Sequence, residues 1–141
     1  VWAILAVGAF MFIGSFGDSD QKPQNHDIQA TSEPKPVLSV TAIKMASEYK
    51  ANEVSADAKY KDQLVEISGT VDTIGKDIVD TPYISFETEN PYEIINRIQC
   101  MFKNEDTVAL SAVSKGQKIR LRGTVSGELG NIIVKGCKII D

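Results

Sequence analysis

The chain is short of the side chains from which most catalytic and metal centres are built. Histidine occurs once, at His26 in a polar stretch, so a His-based triad or a His-rich metal site has nothing to draw on. Cysteine occurs twice, at Cys100 and Cys137, too far apart for a C-x-x-C pair. A zinc ribbon and a thioredoxin-like site are thereby excluded among these residues. The D-x-D-x-D-G spacing of a calcium loop is missing as well. Carboxylates do gather at Glu87, Glu89 and Glu93, but without that spacing they read as a solvated acidic edge rather than as acid–base machinery. No catalytic residue, metal or cofactor is expected.

An excess of positive charge is also lacking. Lys and Arg number 15 against 19 Asp and Glu, a net charge of −4. Over Val40 to Asp141 alone the balance is 13 against 15, or −2. No basic field covers the whole chain to draw nucleic acid non-specifically.

What the chain does have is one long apolar run at its start. Residues 1–16, VWAILAVGAFMFIGSF, carry no charge and give way to Gly17-Asp18-Ser19-Asp20. A bilayer span takes about 20 apolar residues. The first residue is Val1 rather than Met, and we expect further residues upstream. The run reads either as a transmembrane helix or as the h-region of a signal peptide. Ser15-Phe16-Gly17 offers a small-residue cleavage pattern, and no lipid-bearing cysteine follows. Cytoplasmic flanks usually carry Lys and Arg, whereas this one is acidic. The chain is therefore expected to be membrane-anchored with its domain outside the cytoplasm, or secreted or periplasmic after cleavage.

Residues 17–39 are rich in Asp, Gln, Ser and Pro and read as a disordered linker, since they cannot bury enough apolar surface to offset ordering entropy. Pro34 and Pro36 stiffen its end toward polyproline II. From Val40 the periodicity changes. Ala42, Met45, Ala46 and Tyr49 fall at helical spacing behind a Thr41 or Ser39 cap. Val54, Ala58 and Tyr60 continue as a second helical piece, with Asn52 and Glu53 as capping groups between the two. Val65, Ile67, Gly69 and Val71 alternate with polar residues over a strand at about Gln63–Ile74, with Gly69 as a bend and Gly75-Lys76-Asp77 as the following turn. Further strands are expected at about Tyr83–Thr88 and Arg97–Lys103, the latter with Ile98, Cys100 and Phe102 on one face. A helix over Glu105–Val113 follows, capped by Asn104, with Val108, Ala109, Ala112 and Val113 lining its face and Gly116 ending it. Two last strands run over Lys118–Val125 and Ile132–Ile140, joined by a turn at Gly130-Asn131.

Three strands, a helix and two strands, behind an N-terminal helical segment, is the chain order of a five-stranded OB-fold barrel, a mainly β binding architecture. Two stretches carry a closer resemblance. Tyr49 to Lys61 (YKANEVSADAKYK), followed by Val65 to Val71 (VEISGTV), and Lys115 to Val125 (KGQKIRLRGTV) resemble the tRNA_anti-like family of bacterial OB-fold domains over about Val40–Asp141. The resemblance implies an OB barrel behind a membrane anchor or signal peptide. Most such proteins have no assigned activity, and the family defines no catalytic residues to carry over.

Candidate ligand contacts follow from the strand pattern. Lys118, Arg120 and Arg122 alternate with Ile119, Leu121 and Gly123, so all three project from one face. With Tyr83, Phe86 and Phe102 nearby, such a stripe would hold single-stranded nucleic acid; as a solvated strand face it would hold nothing. Phe86 and Phe102 read as core, and Tyr83 and Tyr92 as rim contacts. Strands three and five are neighbours in this topology, so Cys100 and Cys137 are either a disulfide or two buried thiols. The leading expectation is a non-enzymatic binding module for a protein, peptide or small ligand. The alternatives are an oligonucleotide-binding domain and a structural part of an envelope assembly.

Overall fold

A computed structural model of the chain describes residues 37–141. The apolar run, the linker up to residue 36 and His26 lie outside the described residues. Among the described residues no helix is long and apolar enough to cross a membrane.

The elements run β1 (Leu38–Thr41), α1 (Ala42–Ala51), α2 (Glu53–Tyr60), β2 (Leu64–Lys76), β3 (Pro82–Phe86), β4 (Ile98–Met101), a 3-10 turn (Asn104–Asp106), α3 (Thr107–Ser111), β5 (Lys118–Leu129) and β6 (Asn131–Ile139). The sheet order is β1-β2-β3-β4-β6-β5, and a second pairing of β2 with β5 closes the last five strands into a barrel. The fold is the expected OB-fold barrel, with one strand added. Within the barrel, strand β2 serves two partners along its length: Leu64–Thr70 pair with β5, and Val71–Lys76 with β3. A register shift between Val71 and Thr73, and two more in β5 at Gly123 and Ser126, bend the strands enough to close a small barrel.

The added strand is β1, which the linker reading missed. It pairs in parallel with Val65–Ser68 of β2, the part of that edge which β3 leaves bare. Its signal is tertiary: an open row of backbone donors and acceptors recruits the chain beside it. Thr41 then caps α1 as expected, its hydroxyl accepting from the Lys44 amide at 3.2 Å. Asn52 serves both helices: its amide donates to Glu48 O at 3.0 Å, and its Oδ1 accepts from the Ser55 amide at 3.0 Å.

Three local readings are corrected. In α2 the buried residues are Ala56 and Tyr60, while Val54 faces solvent. In the helix before β5, Leu110 is buried and Val108 is 81% exposed. The chain enters through a 3-10 turn, whose three residues per turn rotate the following face. Asn104 does not cap by its side chain; its carbonyl instead accepts from Thr107 Oγ1 at 2.6 Å. Finally, the β2–β3 turn sits at Asp77–Thr81, because Asp77 Oδ1 accepts from the amides of Val79 and Thr81, both at 2.9 Å. Gly75 stays in the strand opposite Tyr83.

The core is one cluster that includes Met45, Tyr49 and Tyr60 from the helices and Val65, Ile67, Phe86, Ile98, Leu121, Val125 and Val134 from the barrel. The Tyr49 and Tyr60 rings stack with centroids 6.1 Å apart, which fixes α1 on α2.

Candidate binding faces of the barrel

The outer face of β3 and β4 is where OB barrels commonly receive ligands. In this chain it holds a cleft of about 280 Å³. Thr73, Tyr83, Ser85 and Gln99 rise from the strands, with Arg97 and Asn131 at the end where the loop between β3 and β4 meets β6. Strand register puts them together: Thr73 lies opposite Ser85, which lies opposite Gln99.

The polar groups of this cleft are tied to one another. Asn131 Nδ2 donates to Gln99 Oε1 at 3.0 Å, and Asn131 Oδ1 accepts from the Arg97 amide at 3.2 Å. The Arg97 guanidinium pairs with Asp72 and donates from Nε to Glu93 O at 2.8 Å. Burial alone would raise the Asp72 carboxyl, but the Thr73 hydroxyl and the charges of Arg97 and Lys115 outweigh it and hold the group below its ordinary value. This pair was not legible in the sequence, because its members stand 25 residues apart and meet only once β2 and β4 are in place.

Ile94, from the loop between β3 and β4, lines the cleft, and several apolar loop side chains of the domain are open to solvent. Ile94, Tyr92 and Leu129 are 82, 89 and 85% exposed, and Ile78 and Val79 stand fully or largely in solvent at the β2–β3 turn. Tyr92 is thus a solvent-exposed side chain that does not line the cleft. Tyr83 is half-buried within the cleft itself.

The stripe on β5 does project outward at Lys118, Arg120 and Arg122. Two of its three charges are taken up. Arg120 grips Asp141 with two bonds, Nε to Oδ1 at 2.7 Å and Nη2 to Oδ2 at 2.5 Å. Arg122 meets Glu66 at 2.5 Å, a cross-strand pair that follows from their register. Lys118 has no ion-pair partner among the described residues. The aromatics proposed as neighbours are not assembled beside it: Phe86 and Phe102 are core, and Tyr83 lies further along the sheet, opposite Gly75. Cys100 and Cys137 are both buried thiols. They lie on adjacent parallel strands, and Cys137 Sγ is 3.4 Å from Val134 O. Burial, then its contact with Cys137, pushes the Cys100 thiol well up. Among the described residues no group of His, Cys, Asp and Glu is placed to hold a metal ion.

A comparison with curated proteins finds no match. A Klebsiella pneumoniae protein, assigned by inference as a nucleic acid-binding lipoprotein, superposes with a TM-score of 0.58 at 15% identity, over 74% of this chain and 92% of its own. At that identity the likeness is one of fold. Yeast Stn1 and Ten1 give a TM-score of 0.43 at 15% identity, over 75% of this chain and 64% of theirs. The tRNA_anti-like family profile matches residues 1–138, almost the whole sequence, and the chain belongs to that family.

Proposed function

We propose that the chain is a non-enzymatic binding module whose β3–β4 face docks a protein or peptide, and that residues 1–16 hold it at a membrane with the domain outside the cytoplasm. One observation carries the docking reading: the largely exposed Ile94 lines a cleft whose charged lining residue, Arg97, is already paired with Asp72. Protein interfaces favour apolar anchors in a setting poor in unpaired charge. A single-strand groove needs free cations along the backbone and open aromatic platforms. Here Arg97, Arg120 and Arg122 each sit on a carboxylate, and the described domain carries net negative charge. The uncharged apolar run with its acidic flank supports the tether and its orientation.

A photo-cross-linking residue placed at Gln99 in the full chain, in cells, tests the docking face. A discrete protein adduct that resists nuclease, is lost with Ile94→Asp and is not formed from the exposed Ser111 position is the expected result. A nuclease-sensitive adduct, or none, overturns it. Trypsin applied to intact spheroplasts tests the orientation. Cleavage at Lys22 that frees the domain is expected, and protection until lysis would count against an extracytoplasmic domain.

A further inference from the structure

We propose that a second cleft, above Thr70 on the β2–β5 side of the barrel, binds a short zwitterionic peptide. This site is separate from the β3–β4 face and stands or falls independently of the docking reading. The cleft measures about 570 Å³, within the range of small-molecule sites. Ile43 and Ile119 give it apolar surface, and Ser68 and Thr70, two hydroxyl-bearing residues, line it as well.

Its charges decide the ligand. Four charged residues border the cleft, two of each sign. Arg120 and Asp141 neutralise one another through their two-bond pair. That leaves Lys118 and Glu87, neither of which has an ion-pair partner among the described residues. Strand geometry holds these two on opposite sides of Thr70. Lys118 is opposite Thr70 on β5, and the Glu87 amide donates to Thr70 O at 2.8 Å from the other side. Two interstrand spacings separate their backbones by about 10 Å. An extended peptide advances roughly 3.3–3.6 Å per residue, so about three residues bridge that distance. The peptide ammonium then faces Glu87 and its carboxylate faces Lys118, with small apolar side chains against Ile43 and the hydroxyls available to its amides. A phosphodiester chain fits poorly, because Glu87 and Asp141 border the same cleft.

The test uses the detergent-solubilised full chain and calorimetric titration with the tripeptide Ala-Leu-Ala, its N-acetylated form and its C-amidated form. The free peptide should bind about tenfold or more tightly than either blocked form, as loss of one charge-assisted contact implies. Glu87→Gln should abolish the penalty of acetylation alone, and Lys118→Gln the penalty of amidation alone. Both side chains are exposed, so both variants should keep the parent melting temperature. Ile94→Asp, on the other face, should leave peptide affinity unchanged. Absence of binding at millimolar free peptide, or equal affinity for free and blocked forms, overturns the proposal.

Discussion

The Tyr49 hydroxyl donates a 2.9 Å hydrogen bond to Asp57 Oδ1, so the two N-terminal helices are joined by a polar contact at the edge of their stacked rings. Tyr49→Phe removes the bond and keeps the ring. The expected loss is about 1 kcal/mol, read as a shift in the urea midpoint. Burial, and then the Asp57 bond, push the Tyr49 phenol well above its ordinary value. The folded state therefore holds this proton more tightly than the unfolded chain. The stability it contributes is present below the ordinary phenol value, about pH 10, and is lost as the pH rises beyond it. The parent should lose stability more steeply than Tyr49→Phe above that point, and parallel curves would remove Tyr49 from the account.

Gly123 sits where β5 is bent against β6. A Cβ added there would lie 2.7 Å from Val134 Cγ1, 2.8 Å from Cys137 Sγ and 3.1 Å from the Lys135 carbonyl. Backbone as well as side chain would have to move. Gly123→Ala should cost about 1–3 kcal/mol, whereas alanine at Gly130, a turn glycine with nothing within 4 Å of its added Cβ, meets no neighbour and is strained only by a φ of 73°.

The barrel was legible because its strands alternate cleanly: Val65, Ile67 and Val71 are buried as their spacing requires. Met45 and Tyr49 declare α1 in the same way. Strand β1 was not legible, since four residues gain their form from the β2 edge rather than from a pattern of their own. The β5 stripe shows the same division. Alternation placed Lys118, Arg120 and Arg122 outward, but only register pairs Arg122 with Glu66, and only the return of β6 brings Asp141 to Arg120. Without those partners three paired or unpaired cations look alike. The Arg97–Asp72 pair, and with it the polar floor of the main cleft, depends on the same long-range register.

Both thiols are buried in the barrel core, and burial raises Cys100 well above its ordinary value. The thiolate is the reactive species. The native, reduced protein should therefore resist thiol reagents at mildly alkaline pH, and both cysteines should label once guanidinium unfolds it. Rapid labelling of one cysteine in the native state would contradict the packing around Val134 and Gly123.

Asp72 is held below its ordinary value by Thr73, Arg97 and Lys115 against the opposing effect of burial. Its stability contribution is fully present above the unfolded carboxylate value and is lost as the pH falls through the lowered folded value. Arg97→Gln removes one of these supports from a pair whose side chains are only 18 and 21% exposed. The variant should be less stable near neutrality by about 1 kcal/mol, and the difference should narrow as acid protonates Asp72. A gap that persists unchanged in acid would assign the loss to packing of the Arg97 stem.

Glu128 shows the opposite sign. Burial first, then the charges of Glu53 and Asp57, raise its carboxyl above the ordinary value. The folded state binds this proton more tightly than the unfolded chain does. Stability is thus present below the unfolded carboxylate value and declines as the pH rises through the raised folded one. At neutral pH the ionised group stands near two like charges at the join of α2 and β5. Glu128→Gln keeps the shape and removes the charge. It should stabilise the domain at neutral pH by about 0.5 kcal/mol, with the gain vanishing below the carboxylate range. Equal denaturant midpoints for parent and variant at neutral pH would mean that solvent screens the three carboxylates from one another, and the acidic join would then carry no cost to the fold.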